Sequence, residues 1–250
     1  MKTGLLRFAV GLALAALIGG PASAAQTTVA VAANFTEAAK EIAAAFKQKT
    51  GHEAVLSFGS SGQLYNQIKQ DAPFQIMLSA DDTRPKKLVD EGLGVPDSRF
   101  TYAVGKLVLF SKSADLVKGE ATLKDGKFEK ISIANPTAAP YGAAAVETMK
   151  ALKVFDTLQP KIVQGNNISQ AFQFVDTGNA ELGFVALSQL AGQEGGSRWV
   201  VPQSFYQPIK QDAVLLKKAA NDEAATAFVA FLKGPEAHAI IEKFGYGFAE

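Results

Sequence analysis

Short apolar runs and amphipathic stretches alternate along the whole chain. Thr28-Val29-Ala30-Val31-Ala32-Ala33 reads as a strand. Past Asn34 the apolar positions become Ala38, Ala39, Ile42, Ala43 and Phe46, the i, i+3/i+4 spacing of one buried helix face. Asn34 stands where an N-cap belongs, and Glu37 follows at capping-box distance. The same change of period recurs after residues 54–59, where Ser60 and Gln63 repeat the capping-box spacing ahead of Leu64, Tyr65 and Ile68. Residues 73–79 read as the next strand, with a helix from Asp81-Asp82-Thr83 to Leu88-Val89.

Residues 105–111 form a continuous apolar run, the kind covered on both faces, and mark the passage into a second domain. Ile131-Ser132-Ile133-Ala134 is a strand, and Pro140 suits the first turn of the helix that carries Ala145, Met149 and Leu152. Residues 160–163 lead through Gly165-Asn166-Asn167-Ile168-Ser169 into a helix with Ala171, Phe172 and Val175, closed by Gly178 in the position of a C-cap glycine. Residues 182–186 read as a buried strand and 199–201 as another, crossing back to the first domain. Residues 222–232 and 235–244 form two tail helices, split by Lys233-Gly234-Pro235.

Such alternation predicts an α/β fold with mainly parallel sheets. With no fixed-period repeat and no low-complexity linker, two domains are expected to be woven from a chain that crosses between them. The expected division is residues 25–104 plus 206–250 for one lobe and 105–205 for the other.

The first 24 residues stand apart. Lys2 and Arg7 precede an apolar run over 8–18, and Ala22-Ser23-Ala24 gives a small-x-small cleavage pattern, as in a secretory signal peptide. The run is shorter than the ~20 residues of a membrane span, so an exported mature chain that does not span the membrane is expected. Without Lys2 and Arg7, 23 Lys+Arg face 24 Asp+Glu. A net charge near −1 with no basic run argues against a nucleic-acid partner. The chain has no cysteine, so an exported fold must rely on its packed core rather than disulfides. With only His52 and His238 as imidazoles, a transition-metal cation site is not expected. No resident cofactor is expected either.

A strand running straight into a helix leaves the first helical N–H groups facing the crevice at the strand's carboxyl end, where the dipole also favours an anion. Asn34, Ser60-Ser61, Tyr141 and Ile168 head four such junctions, with Ala33 beside the first. None contains Arg or Lys. The plain alternative is that Asn34, Ser60 and Ser61 merely cap helices, and that Asp81-Asp82 are ordinary partners of a helix dipole rather than metal ligands. A serine hydrolase is a remote alternative, since Gly-Ser-Ser-Gly is not the Gly-x-Ser-x-Gly elbow and neither histidine follows a strand.

Val31-Ala32-Ala33-Asn34-Phe35, Ser57-Phe58-Gly59-Ser60-Ser61-Gly62, Ser79-Ala80-Asp81 and Phe231-Leu232-Lys233-Gly234-Pro235-Glu236-Ala237 resemble the periplasmic molybdate-binding proteins of ABC transporters, a type II substrate-binding family. The resemblance covers essentially the whole mature chain. It implies two α/β lobes joined by a two- or three-strand hinge, with a tetrahedral oxyanion bound in the interlobe cleft. It implies molybdate or tungstate as ligand and an ABC permease as partner. Together with the leader and the lack of a catalytic pattern, a periplasmic protein that is not an enzyme is expected, and a monomer, since no apolar patch is identified from the sequence. Sulfate, thiosulfate or phosphonate is the alternative ligand class. Position by position, the family's ligand sites fall on Asn34, Ser61, Tyr141 and Ile168, the last through its N–H. Where one branch of the family has a Tyr after the buried strand, this chain has Ala186. The Tyr141 hydroxyl is expected to supply the missing donor from across the cleft. Glu37 and Asp81, at the cleft rims, are candidates to pair with basic permease loops.

Overall fold

The computed structural model describes residues 24–249. The signal-peptide expectation falls, except for Ala24, outside the described residues. The first half runs β1 (Gln26–Ala32), α1 (Thr36–Thr50), β2 (Glu53–Gly59), α2 (Ser61–Lys69), β3 (Ile76–Leu78), α3 (Thr83–Asp90), β4 (Phe100–Gly105) and β5 (Leu107–Ser111). There follow α4 (Glu120–Asp125), β6 (Ile131–Ala134), α5 (Pro140–Ala151), α6 (Phe155–Leu158), β7 (Ile162–Gly165), α7 (Ile168–Asp176), β8 (Leu182–Ala186) and β9 (Ser197–Val200). β10 (Ile209–Leu215), α8 (Glu223–Leu232) and α9 (Pro235–Lys243) complete the chain. Among the described residues no helix is long and apolar enough to cross a membrane.

Two five-stranded sheets form the centres of two lobes, in the orders β2-β1-β3-β10-β4 and β7-β6-β8-β5-β9. The expected parallel pairing holds in β2-β1-β3 and β7-β6-β8. The returning strands add antiparallel pairs, β3-β10-β4 in one sheet and β8-β5-β9 in the other. Both sheets are therefore mixed, and they repeat the same pattern. The apolar run expected over 105–111 is cut at Lys106, where the chain leaves one sheet and enters the other. Residues 199–201 do not themselves cross back, because β9 stays paired to β5. The return to the first sheet comes later, between β9 and β10.

Each sheet is covered by helices, which accounts for its buried apolar strands. In the first lobe Phe35, Ile42, Phe46, Ile76 and Phe228 form one buried cluster with Tyr102 and Ile241. Phe46 and Phe228 meet edge to face, 5.2 Å between centroids, a favoured aromatic geometry. In the second lobe Leu107, Leu109, Ile131, Met149 and Phe184 pack together. Helix ends follow local chemistry. The Asp222 side chain accepts from the Ala225 N–H at 2.8 Å to start α8, and Gly178 takes φ +75° just past α7, as a C-cap glycine does.

Phe228 is fully buried where α8 packs on β1. The Phe228→Ala variant is expected to lose about 3–5 kcal/mol. Urea unfolding should show this as a lower midpoint at unchanged slope.

Candidate functional site

The strands β1, β2, β6 and β7 are the outer parallel pairs of the two sheets, and each feeds a helix: α1, α2, α5 and α7. Their junctions meet at the carboxyl ends of the strands, where α/β folds place ligands. Ala33, Asn34, Ser60, Ser61, Tyr141 and Ile168 line one small cavity between the lobes, together with Ala80 and Pro140. Ala186 is not among them. It lies buried at the end of β8, and its N–H donates to Gln189 Oε1 at 2.9 Å.

Backbone donors at the helix starts face this cavity without a partner. Among the described residues, the N–H groups of Ser61, Tyr141 and Ile168 make no hydrogen bond; each sits in the first turn of α2, α5 or α7. Pro140 removes the preceding donor of α5, as expected at a first helical turn. Ser60 caps α2, its Oγ accepting from the Gln63 N–H at 3.4 Å, and Asn167 caps α7 by accepting from the Gln170 N–H at 3.0 Å. Ser61 is oriented differently: its Oγ accepts from the Ala80 N–H at 2.9 Å. That bond fills a lone pair and leaves the hydroxyl proton to donate. No lysine, arginine or histidine lines the cavity. The arrangement therefore suits a small guest that only accepts hydrogen bonds.

Asn34 corrects one expectation. A 3-10 turn over Ala33–Phe35 precedes α1, and no side chain caps that helix. Glu37 pairs with Lys40 instead of completing a capping box. The Asn34 side chain is drawn elsewhere by two buried acceptors: Nδ2 donates to Gln211 Oε1 at 2.8 Å and to the Tyr246 hydroxyl at 3.0 Å. Both amide protons are thus committed behind the cavity. The Asn34 carbonyl accepts from Tyr246 at 2.7 Å and from Ser188 at 2.8 Å. The Asp81 carboxylate is likewise engaged within the protein, by Arg84.

Over residues 27–247 the chain matches the family described as bacterial extracellular solute-binding protein. The chain belongs to that family. It is 57% identical over 238 residues to the molybdate-binding protein ModA of Rhodobacter capsulatus, spanning 95% of this chain and 94% of that one. Against ModA of Azotobacter vinelandii it is 51% identical over 251 residues, 99% of each chain. The solved structure of the Azotobacter vinelandii periplasmic molybdate-binding protein superposes with a TM-score of 0.87, covering 90% of this chain and all of that one at 41% identity.

In this solute-binding protein, residues that sequence reasoning passed over hold the site together. Gln211, fully buried on β10, accepts from Tyr102 at 3.1 Å as well as from Asn34, and its Nε2 donates to the Tyr141 hydroxyl at 3.1 Å. One amide thus joins β4, the α1 junction and the start of α5. A bulge between Gln211 and Asp212 turns the strand there, and the buried Asp212 carboxylate is held by Arg99 and Thr101. At the passage between the lobes, a Cβ on Gly105 would lie 2.1 Å from the Tyr141 hydroxyl and 2.6 Å from Gln211 Nε2. Only glycine leaves room for that contact.

Burial pushes the hydroxyls of Tyr102, Tyr141 and Tyr246 well above the ordinary tyrosine range, because a phenolate there would lose its hydration. A raised native pKa means stability that is complete below about pH 10, where the unfolded chain's tyrosines begin to ionise, and that falls as pH rises further. The melting temperature is expected to drop steeply above that point. Tyr246→Phe should start lower and fall less steeply over the same range.

Proposed function

We propose that this protein captures molybdate, and tungstate with it, in the periplasm and delivers it to the permease of an ABC transporter. The observation that carries the reading is the convergence of uncommitted helix-start N–H groups on one cavity without a cation. A fully ionised dianion offers acceptors only, so every group touching it must donate. In this reading Ser61 gives its N–H and hydroxyl, and Tyr141 and Ile168 give their N–H groups. Asn34 and Ala33 close the remaining side, held by Gln211 and Tyr246. The Tyr141 hydroxyl accepts from Gln211 Nε2, which orients it and fills a lone pair, and in this reading its own proton is a further donor to the guest. Charge is balanced by preorganised dipoles rather than by a counter-ion, which keeps release to a permease feasible.

The relatives at 57% and 51% identity carry the name molybdate-binding protein, which favours this ligand over sulfate, thiosulfate or phosphonate. It also favours a binding protein over an enzyme. We further propose that the leader is removed near Ala24, that the chain acts as a monomer, and that the lobes hinge where β4 passes into β5 and β9 into β10. Molybdate and tungstate, alike in size and charge, should be barely distinguished.

Isothermal titration of the mature protein with molybdate is expected to show tight one-to-one binding that excess sulfate or phosphate does not disturb. Heat with sulfate and none with molybdate would reassign the ligand. Ser61→Ala removes one hydrogen bond to a charged guest, worth about 1.5–3 kcal/mol. The titration should read this as an affinity roughly 10- to 100-fold weaker.

A further inference from the structure

We propose that Arg84 is a latch that holds the two lobes closed beside the cavity, with Asp81 as the group that aims it. The proposal uses the molybdate reading only for the ligand in one arm of its test.

The latch begins at the start of α3. Asp81 Oδ1 accepts from the Arg84 backbone N–H at 2.7 Å, and Oδ2 pairs with Arg84 Nη1. Both side chains are mostly covered, 15% and 21% exposed for Asp81 and Arg84. With one edge of the guanidinium fixed, the other is aimed across the cleft, where Nη2 donates to the Thr137 carbonyl at 3.0 Å. Thr137 is itself braced, since Asn135 Oδ1 accepts from its N–H at 3.0 Å and its hydroxyl at 2.8 Å. The next carbonyl, Ala138, accepts from the Gly62 N–H at 2.9 Å.

These contacts form one seat. A Cβ on Gly62 would lie 3.0 Å from Ala138 Cα and 3.1 Å from Arg84 Nη2, so α2, α3 and the loop before α5 touch at a single point. Gly62 and Arg84 belong to the first lobe's helices, while Thr137 and Ala138 follow β6 of the second. The seat exists only with the lobes together. It directly adjoins Ser61, and the loop it grips leads into Tyr141. A planar guanidinium can serve a carboxylate on one edge and a carbonyl on the other; a lysine, a point donor on a flexible stem, cannot. Across the cavity the interlobe bonds are neutral, Ser169 to the Ala33 carbonyl at 3.2 Å and Ser188 to that of Asn34 at 2.8 Å. Arg84 also lines a groove of about 940 Å³ that runs along this rim. Water can therefore reach the guanidinium as the lobes part, which makes the latch reversible.

The test compares wild type with Arg84→Gln, Arg84→Lys and Asp81→Asn. Stopped-flow measurement with molybdate is expected to show a dissociation rate raised about fivefold in each variant, modest because the bond is partly exposed. The association rate should stay within about twofold of wild type. Asp81→Asn in the Arg84→Gln background should add little further, since both act through one contact. A second arm needs no ligand. Spin labels on exposed positions of the two lobes, Asp97→Cys and Thr157→Cys, go into a chain with no other cysteine. Arg84→Gln should shift the interlobe distances toward longer values. Unchanged dissociation and unchanged distances would overturn the latch. So would an effect confined to association, present in Arg84→Gln, absent in Arg84→Lys and lost at high salt, which would make Arg84 a steering charge. If wild type fails to bind molybdate, the ligand assignment falls and the distance measurement alone decides the latch.

Discussion

A backbone N–H at the start of a helix has no partner within that helix, and this constraint organises the molecule. At α8 such a group is satisfied by a cap, the Asp222 side chain. At the cavity, Ser61, Tyr141 and Ile168 keep theirs open while neighbours Ser60 and Asn167 cap the next donors in line. An unpaired buried donor is costly. Several of them gathered in one place amount to a site whose missing partner is an acceptor. The dipoles of α2, α5 and α7 add to the same preference.

That gathering is fixed by neutral side chains. Gln211 can both accept and donate, so one amide ties Asn34 and Tyr102 to Tyr141 without introducing charge. A carboxylate in its place would repel an anion, and an alkyl group would strand its neighbours' donors. The buried tyrosines serve the same end, staying neutral because their phenolates would be unsolvated. At the rim Arg84 and Asp81 neutralise each other, and the buried Asp212 is paired with Arg99.

The strand-to-helix changes of period were legible in the sequence because each is local: β1 to α1, β2 to α2, β6 to α5 and β7 to α7 all announce themselves by spacing and turn residues. The six cavity positions named from those junctions come together in the structure. What was not legible depends on distant segments. The pattern leaves β4 unread except for Gly105, and it leaves β10 unread because Gln211 and Asp212 interrupt its apolar run, though both are fully buried. Asn34 satisfied every local rule for a cap, yet its side chain serves Gln211 and Tyr246, which lie 177 and 212 positions away along the chain. Local rules cannot weigh such acceptors. Glycines 62 and 105 likewise matter for backbones and side chains of the opposite lobe, which nothing beside them in sequence reveals.

The repeated sheet order has a consequence for how the protein comes into being. The donors at positions 61, 141 and 168 stand on different lobes, and the strand that aligns them, β10, arrives only at residue 209. The cavity is thus a feature of high contact order, assembled from the most distant pairings in the chain. A chain without β10 lacks Gln211, the amide that ties Asn34 to Tyr141. The cavity is complete only when the last strand of the first sheet is in place and the segment after it has brought Tyr246 to Asn34.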